Sequence, residues 1–187
     1  MNKKIKLEKL NQEIRNCKKC PLWKLRKNTV PGEGPANAKI MILGMAPGVE
    51  EDKIGKPFVG RAGKFLDKLL KTAKIEREKV FITSPLKCLP QLPPNRKPKK
   101  EEIKACLSYL EKQIEIINPQ KFILLGEVAF SVFFSEKELS SFRGKWFEKD
   151  GKKFFITYHP AAGMRFPKIK KALEKDFKRI RRTIREF

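Results

Sequence analysis

Four short apolar runs constrain this 187-residue chain more than any other feature. They read KIMILG at 39–44, KVFITS at 79–84, KFILLG at 121–126 and KKFFITYHP at 152–160. Each is too short for a helix and is bounded by glycine or a polar residue, as a buried strand is. Helical patterns lie between them. The N-terminal segment 3–16 is amphipathic, Phe65, Leu66, Leu69 and Leu70 share one helical face, and 100–117 carries its acids early, where the helix dipole favours them. EVAFSVFF reads as a short helix, and 167–185 alternates apolar positions with a dense basic face. Strands alternating with helices predict an α/β fold: a three-layer α/β/α sandwich around a central, four-stranded, mainly parallel sheet. The length suits one domain over residues 1–187, and no repeat or linker divides it.

In such sheets ligands bind beyond the carboxyl ends of the strands. The residues there are Met45-Ala46-Pro47-Gly48, Ser84, Gly126 and His159-Pro160. The segment VEEDKIGKPFVGRAG, after the first turn, reads as a long loop, and the proline-rich, basic CLPQLPPNRKPKK as another.

The charge balance bears on partners. Lys and Arg number 44 against 21 Asp and Glu, a net charge of +23. A field this positive attracts polyanions, nucleic acid first among them; a solvated basic surface or an anionic membrane are the other readings. Charged residues make up 35% of the chain, an enrichment that fits a thermophile. No apolar run is long enough to span a membrane, and the N-terminus lacks the apolar core of a signal peptide. A cytoplasmic protein is therefore expected.

There are four cysteines: Cys17 and Cys20 in a C-x2-C pair, Cys88 and Cys106. In a reducing compartment structural disulfides are disfavoured, and a C-x2-C pair at a helix end suits metal or redox chemistry. Four converging thiolates suit either tetrahedral zinc or an iron–sulfur cluster, and spacing alone does not separate them. With one histidine in the chain, any four-ligand Cys/His site needs at least three of these cysteines. The second pair is 18 positions apart, which disfavours a zinc ribbon. Merely packed, unrelated thiols are the remaining reading.

Three stretches together carry a family resemblance. VPGEGPANAKIMILGMAPGVEEDKIGKPFVGRAGKFLDKLL, ITSPLKCLPQLPPNRKPKKEEIKACLSYLEKQIEIINP and TYHPAAGMR resemble, in order, the blocks of a family 4 uracil-DNA glycosylase. The resemblance implies a four-stranded parallel sheet between helices and excision of uracil from DNA by cleavage of the N-glycosidic bond, leaving an abasic site. It implies a structural [4Fe–4S] cluster on Cys17, Cys20, Cys88 and Cys106, with structural zinc as the alternative. The loop between the last two cysteines is slightly longer here, near QLP. It also implies a uracil-stacking role for Phe58.

The chemistry of such a reaction assigns further roles. A base inside a duplex must be flipped into a pocket to be reached, and the pocket needs an aromatic face. Leaving uracil departs as an anion, so a donor is needed where charge develops at O2, and His159 is the candidate. The turn of Gly44, Met45, Ala46, Pro47 and Gly48 is expected to shape the base pocket and hold the attacking water. Met164, Arg165 and Phe166 form a wedge loop that fills the gap left by the flipped nucleotide. Gly60, Arg61 and Gly63 belong to a turn that approaches DNA phosphates. No lysine nucleophile sits in these motifs, so hydrolysis without strand cleavage is expected, by a monomer acting on damaged DNA.

Two positions depart from the family pattern. The residue after Gly44 is usually glutamate and here is Met45; the residue after the strand ending Ile82-Thr83 is usually asparagine and here is Ser84. A planar amide offers a donor and an acceptor, a hydroxyl one short rotor. These changes predict altered base preference, lower uracil activity, or both. Uracil is the default base; hypoxanthine, xanthine or a modified uracil are alternatives, as is a non-catalytic DNA-binding paralogue.

Overall fold

A computed structural model describes residues 2–91, 96–134 and 137–184. Residues 92–95, where the longer loop near QLP falls, lie outside the described residues. The strands are β1 (Ile40–Leu43), β2 (Phe81–Thr83), β3 (Lys121–Leu125), β4 (Trp146–Lys149) and β5 (Lys152–Thr157), in the sheet order β2-β1-β3-β5-β4. All neighbours are parallel except β4, which pairs antiparallel with β5.

The sheet therefore has five strands, one more than the sequence predicts. The extra strand is the edge of a hairpin whose turn is Asp150-Gly151, with φ of 52° and 69°. An Asp-Gly pair with both residues left-handed is the turn that matches strand twist in a two-residue hairpin. The strand itself, WFEK, has only two apolar residues, too few to stand out as a buried run.

Helices cover both faces. Strand residues alternate sides, so Met41, Leu43, Phe122, Leu124, Phe154 and Ile156 pack with Leu7 of α1 (Lys3–Arg15), Leu110 and Ile117 of α4 (Lys100–Ile117), and Phe130 of α5 (Glu127–Ser131). Ile42, Ile82, Ile123, Leu125 and Phe155 face the other way. They meet Leu66, Leu69 and Leu70 of α3 (Arg61–Ala73) and Leu173, Phe177 and Ile180 of α8 (Pro167–Thr183). Both faces of a parallel sheet are thus dry, which is why its strands are apolar throughout. No helix among the described residues is long and apolar enough to cross a membrane.

The expected long loop after β1 is not all loop. It contains α2 (Val49–Ile54), and α3 begins at Arg61. Three acids, Glu50, Glu51 and Asp52, fill the first turn of α2, and Gly55 stops it in a left-handed conformation (φ 78°). The expected wedge loop is likewise partly helical: Met164 and Arg165 end α7 (Pro160–Arg165), and Phe166 joins it to α8. A proline at the first position of each helix starts it without sacrificing a hydrogen bond. The short helix α6 (Leu139–Phe142) packs Leu139 and Phe142 against the same cluster as α1, α4 and α5.

Candidate active site

The carboxyl ends of β1, β2, β3 and β5 open into one cleft of about 480 Å3. Met45, Ala46, Pro47, Gly48, Phe58, Ser84, Gly126 and His159 line it, with Arg165 and Phe166 at the same cleft. The lining is mainly apolar with a few polar groups, as in pockets that take one small flat molecule.

His159 follows β5 and caps α7. Its Nδ1 accepts the Ala161 N–H at 3.2 Å. That bond fixes the neutral tautomer, with the proton on Nε2. Burial holds the imidazole pKa down to about 4, against a smaller upward pull from Glu51. At neutral pH this is an uncharged N–H donor. A Cβ built on Gly44 would lie 3.7 Å from Nε2 and 2.8 Å from the Phe58 ring. Any side chain at position 44 would therefore sit between the donor and the aromatic face. The Phe58 and His159 rings lie 5.7 Å apart at 27°.

Phe58 holds a left-handed backbone (φ 51°), uncommon for a large side chain. Two contacts impose it. Gly63 lies beneath it, so closely that a Cβ there would come within 1.8 Å of the Phe58 carbonyl oxygen. Glu51 ties down the residues that follow: one carboxylate oxygen accepts the Val59 and Gly60 N–H groups, both at 2.9 Å. The other oxygen accepts the Gly48 N–H at 3.1 Å. A single carboxylate thus joins the Gly44–Gly48 turn to the Phe58–Gly60 turn. Sequence reasoning missed Glu51; its signal was an acid three residues after Gly48, at the start of a helix.

The two departures both reach the cleft. Met45 contributes an apolar wall. Ser84 is buried, and its hydroxyl donates to the Leu86 carbonyl at 2.5 Å. Its one proton is committed, so toward a ligand Ser84 can only accept. Two further acids, Glu51 and Glu127, and one amine, the exposed Lys97, also line the cleft.

The residues expected to meet DNA divide. Gly60 and Arg61 begin α3, with Arg61 exposed. Gly63 is buried under Phe58 and offers no surface to DNA; its requirement is close packing. Met164 and Phe166 are 40% and 50% exposed, unusual for large apolar side chains. Arg165 and Phe166 belong to the cleft, whereas Met164 lines a neighbouring groove with Arg61 and Lys64.

Between α1, α4 and the segment after β2, all four cysteines line a second, small cavity with Trp23, Arg26, Lys87 and Tyr109. Cys17 follows α1, Cys20 precedes the 3-10 turn Pro21–Lys24, Cys88 lies after β2 and Cys106 is on α4. None forms a disulfide. Burial pushes the Cys88 thiol up to about 11 and also raises Cys20 and Cys106. The Arg26 guanidinium donates to the Cys88 sulfur at 3.4 Å, and the Lys19 N–H to the Cys17 sulfur at 3.5 Å. Two buried cysteines, Cys88 and Cys106, and two half-buried ones, Cys17 and Cys20, around one cavity and met by N–H donors, fit a thiolate-ligated metal group. Among the described residues no three His, Cys, Asp or Glu side chains gather as ligands of a single ion would.

Lys87 separates the two cavities. Its side-chain nitrogen is fully buried, which pulls its pKa down to about 7, and it donates to Thr83 Oγ1 (2.6 Å), the Ser84 carbonyl (2.7 Å) and Gln113 Oε1 (2.7 Å). Gln113 in turn donates to the Pro31 carbonyl at 2.7 Å. Every donor on the lysine is satisfied by a neutral oxygen.

A cleft at the strand ends, faced by a neutral imidazole and an aromatic ring, has counterparts of known kind. Residues 31–183 match the family model described as "Uracil DNA glycosylase superfamily". A type-4 uracil-DNA glycosylase of Sulfurisphaera tokodaii is 46% identical over 94% of this chain and 83% of its own. That of Saccharolobus solfataricus is 45% identical over 95% and 86%, and that of Thermotoga maritima 43% identical over 83% and 81%. The chain belongs to the uracil-DNA glycosylase superfamily and, within it, to the type-4 family.

Proposed function

We propose that this protein is a DNA-repair glycosylase that hydrolyses the N-glycosidic bond of a flipped deoxyuridine and leaves an abasic site. One observation carries the reading: an uncharged His159 whose Nε2–H faces the space beside Phe58. Uracil stacks on Phe58. As the bond to the sugar breaks, negative charge grows on the uracil carbonyl oxygen, and a fixed N–H donor there strengthens with it. A neutral donor suits an anionic leaving group that is never fully protonated; an imidazolium would demand costly ionisation in a buried site.

The sugar left behind is cationic. Glu51 and Glu127 line the cleft and supply carboxylates beside its cations, Lys97 and Arg165. A cation of that kind is captured by a water held at the Met45–Gly48 turn: the water oxygen bonds to the sugar carbon that the base has left, and its proton passes to bulk water, from which the released uracil anion is protonated, so no strong general base is needed. This is why Met45, which accepts no proton, is compatible with turnover. Ser84 accepts a hydrogen bond from the uracil N3–H in place of a planar amide. It offers one contact instead of two, so discrimination against other bases is weaker.

The cysteines hold a [4Fe–4S] cluster in this reading, with Cys17, Cys20, Cys88 and Cys106 as ligands. When bound, the cluster supplies a rigid cross-link between α1, the loop after β2 and α4, and it takes no part in base removal. What supports it is the four-sulfur lining of one cavity and the N–H donors aimed at two of the sulfurs. The protein acts on DNA as a monomer in the cytoplasm of a thermophile.

The test is base release from oligonucleotides carrying uracil, hypoxanthine, xanthine or 5-hydroxymethyluracil, single-stranded and paired. Uracil released fastest supports the proposal. Release of another base in its place reassigns the pocket, and tight DNA binding without any release marks a non-catalytic paralogue.

A further inference from the structure

The positive charge of this protein is not spread evenly. Helices α3 and α8, which form one layer, carry twelve Lys and Arg against three Asp and Glu. Helices α1 and α4, of almost the same total length on the opposite face, carry eight against six. A generally charged surface would not show this difference.

Two grooves run along the basic layer. The first, beside the wedge, is lined by Arg61, Lys64, Lys68 and Lys170, together with Met164 and Phe65. The second, further along the same helices, is lined by Lys71, Lys74, Lys178, Arg181 and Arg182 with Thr72. On α3 the cations Arg61, Lys64, Lys68 and Lys71 recur at spacings of three and four, so they form one stripe. None of the cations in either groove forms an ion pair with a carboxylate among the described residues. The acids of these helices are used elsewhere: Asp67 pairs with Arg77, and buried Asp176 with Arg143.

The stripe begins at the wedge. Helix α7 sits in the angle between α3 and α8, where a Cβ on Gly163 would lie 2.5 Å from Leu173 and 2.9 Å from Phe65. From Arg61 to Lys74 the helix rises about 20 Å. One strand of duplex DNA has a phosphate every 3.4 Å or so, which makes this roughly six nucleotides.

We propose that the α3–α8 face is a second phosphate-binding track, which holds the DNA backbone for several nucleotides beyond the base pocket. The inference rests on the reading of that pocket as DNA-facing. The occupant is a phosphodiester backbone because the first groove adjoins the wedge at Met164, the cation stripe of α3 runs on from it to the second, and the second has no aromatic face for base stacking. Such contacts carry no sequence information. They keep the enzyme on undamaged DNA while it searches.

The experiment measures binding of the full-length protein to undamaged duplexes as salt is varied. One duplex of about 8 base pairs covers the pocket alone, and one of about 20 reaches the track. The unmodified protein should gain affinity on the longer duplex beyond the statistical gain in sites. K71E/K74E/R181E/R182E should lose that gain, and its log K against log salt slope should be shallower by about 2 to 3. The neutral set K71Q/K74Q/R181Q/R182Q, on exposed positions where less repulsion favours folding, should show a smaller loss in the same direction. Equal affinity of the unmodified protein for both duplexes, or an unchanged slope in both variants, would overturn the proposal. So would variants that lose binding to anionic phospholipid vesicles while keeping the DNA slope. Uracil release by the unmodified protein, run alongside, tests the base pocket separately: its failure removes the glycosylase reading and leaves the slope to judge the track.

Discussion

Gly63 and Phe58 fit so closely that no side chain heavier than hydrogen can occupy position 63 without moving the Phe58 backbone. The contact is backbone against an intended Cβ, so no rotamer change relieves it. Gly63→Ala therefore shifts the aromatic face of the pocket. Overpacking of this kind costs about 1–3 kcal/mol, and misplacing a positioning group by an ångström costs roughly a hundredfold in rate. Single-turnover base release should fall by that order, with the fold retained by circular dichroism.

Glu51 should behave as a clamp. Its carboxylate satisfies three backbone donors from two turns. Glu51→Ala leaves those N–H groups to water or unpaired, a loss of about 2–4 kcal/mol for charge-assisted bonds. Glu51→Gln keeps the shape but turns an amide N–H2 toward N–H donors, so it should recover only part of the stability. Thermal unfolding of the two variants checks the order: native above Gln, Gln above Ala.

The pH dependence follows from His159. Its pKa in the fold is about 4, below the ordinary 6.5. The donor thus stays neutral through the whole neutral and mildly acidic range. Base release should show no loss from this group until the pH approaches about 4, where the imidazole takes a second proton. Stability moves earlier. Between 6.5 and about 4 the unfolded chain binds a proton that the folded chain refuses, so stability falls as pH falls across that window. His159→Asn should remove this part of the slope, as urea titrations at several pH values would show.

The buried lysine network makes a separate prediction. Gln113 accepts from Lys87 and donates to the Pro31 carbonyl. Gln113→Leu fits the volume but strands a donor of the Lys87 amine, whose pKa burial pulls down to about 7, and the Pro31 carbonyl in the interior. A loss of about 2–4 kcal/mol is expected in chemical denaturation, with the larger part from the lysine.

Much of this architecture was legible in the sequence. The four parallel strands announced themselves because a strand buried on both faces must be apolar throughout, and glycine or a polar residue marks each end. His159 stood out as the only histidine, placed before a proline at a strand end. The fifth strand did not, because an edge strand with one buried face needs few apolar residues; only Asp150-Gly151 signalled it. Helix α2 was hidden in a glycine-rich stretch, and its acidic first turn was the missed cue. Tertiary packing could not be read. No sequence pattern says that Gly63 lies under Phe58 or that Ser84 spends its proton on Leu86, although each pair is close in the chain, because the folded path of the turn decides both. That Lys87, in a basic, proline-rich stretch, is fully buried depends on Gln113, 26 residues away.

The most direct test of the account is a single-turnover time course of uracil release from a uracil-containing duplex, for the native protein and His159→Ala. The account predicts free uracil and an intact strand with an alkali-labile abasic site. It predicts a rate reduced by about 10²–10³ in the variant, the usual cost of losing one such donor, with DNA affinity unchanged. Equal rates in the two proteins, or no uracil released by the native protein while it binds the duplex, would contradict it.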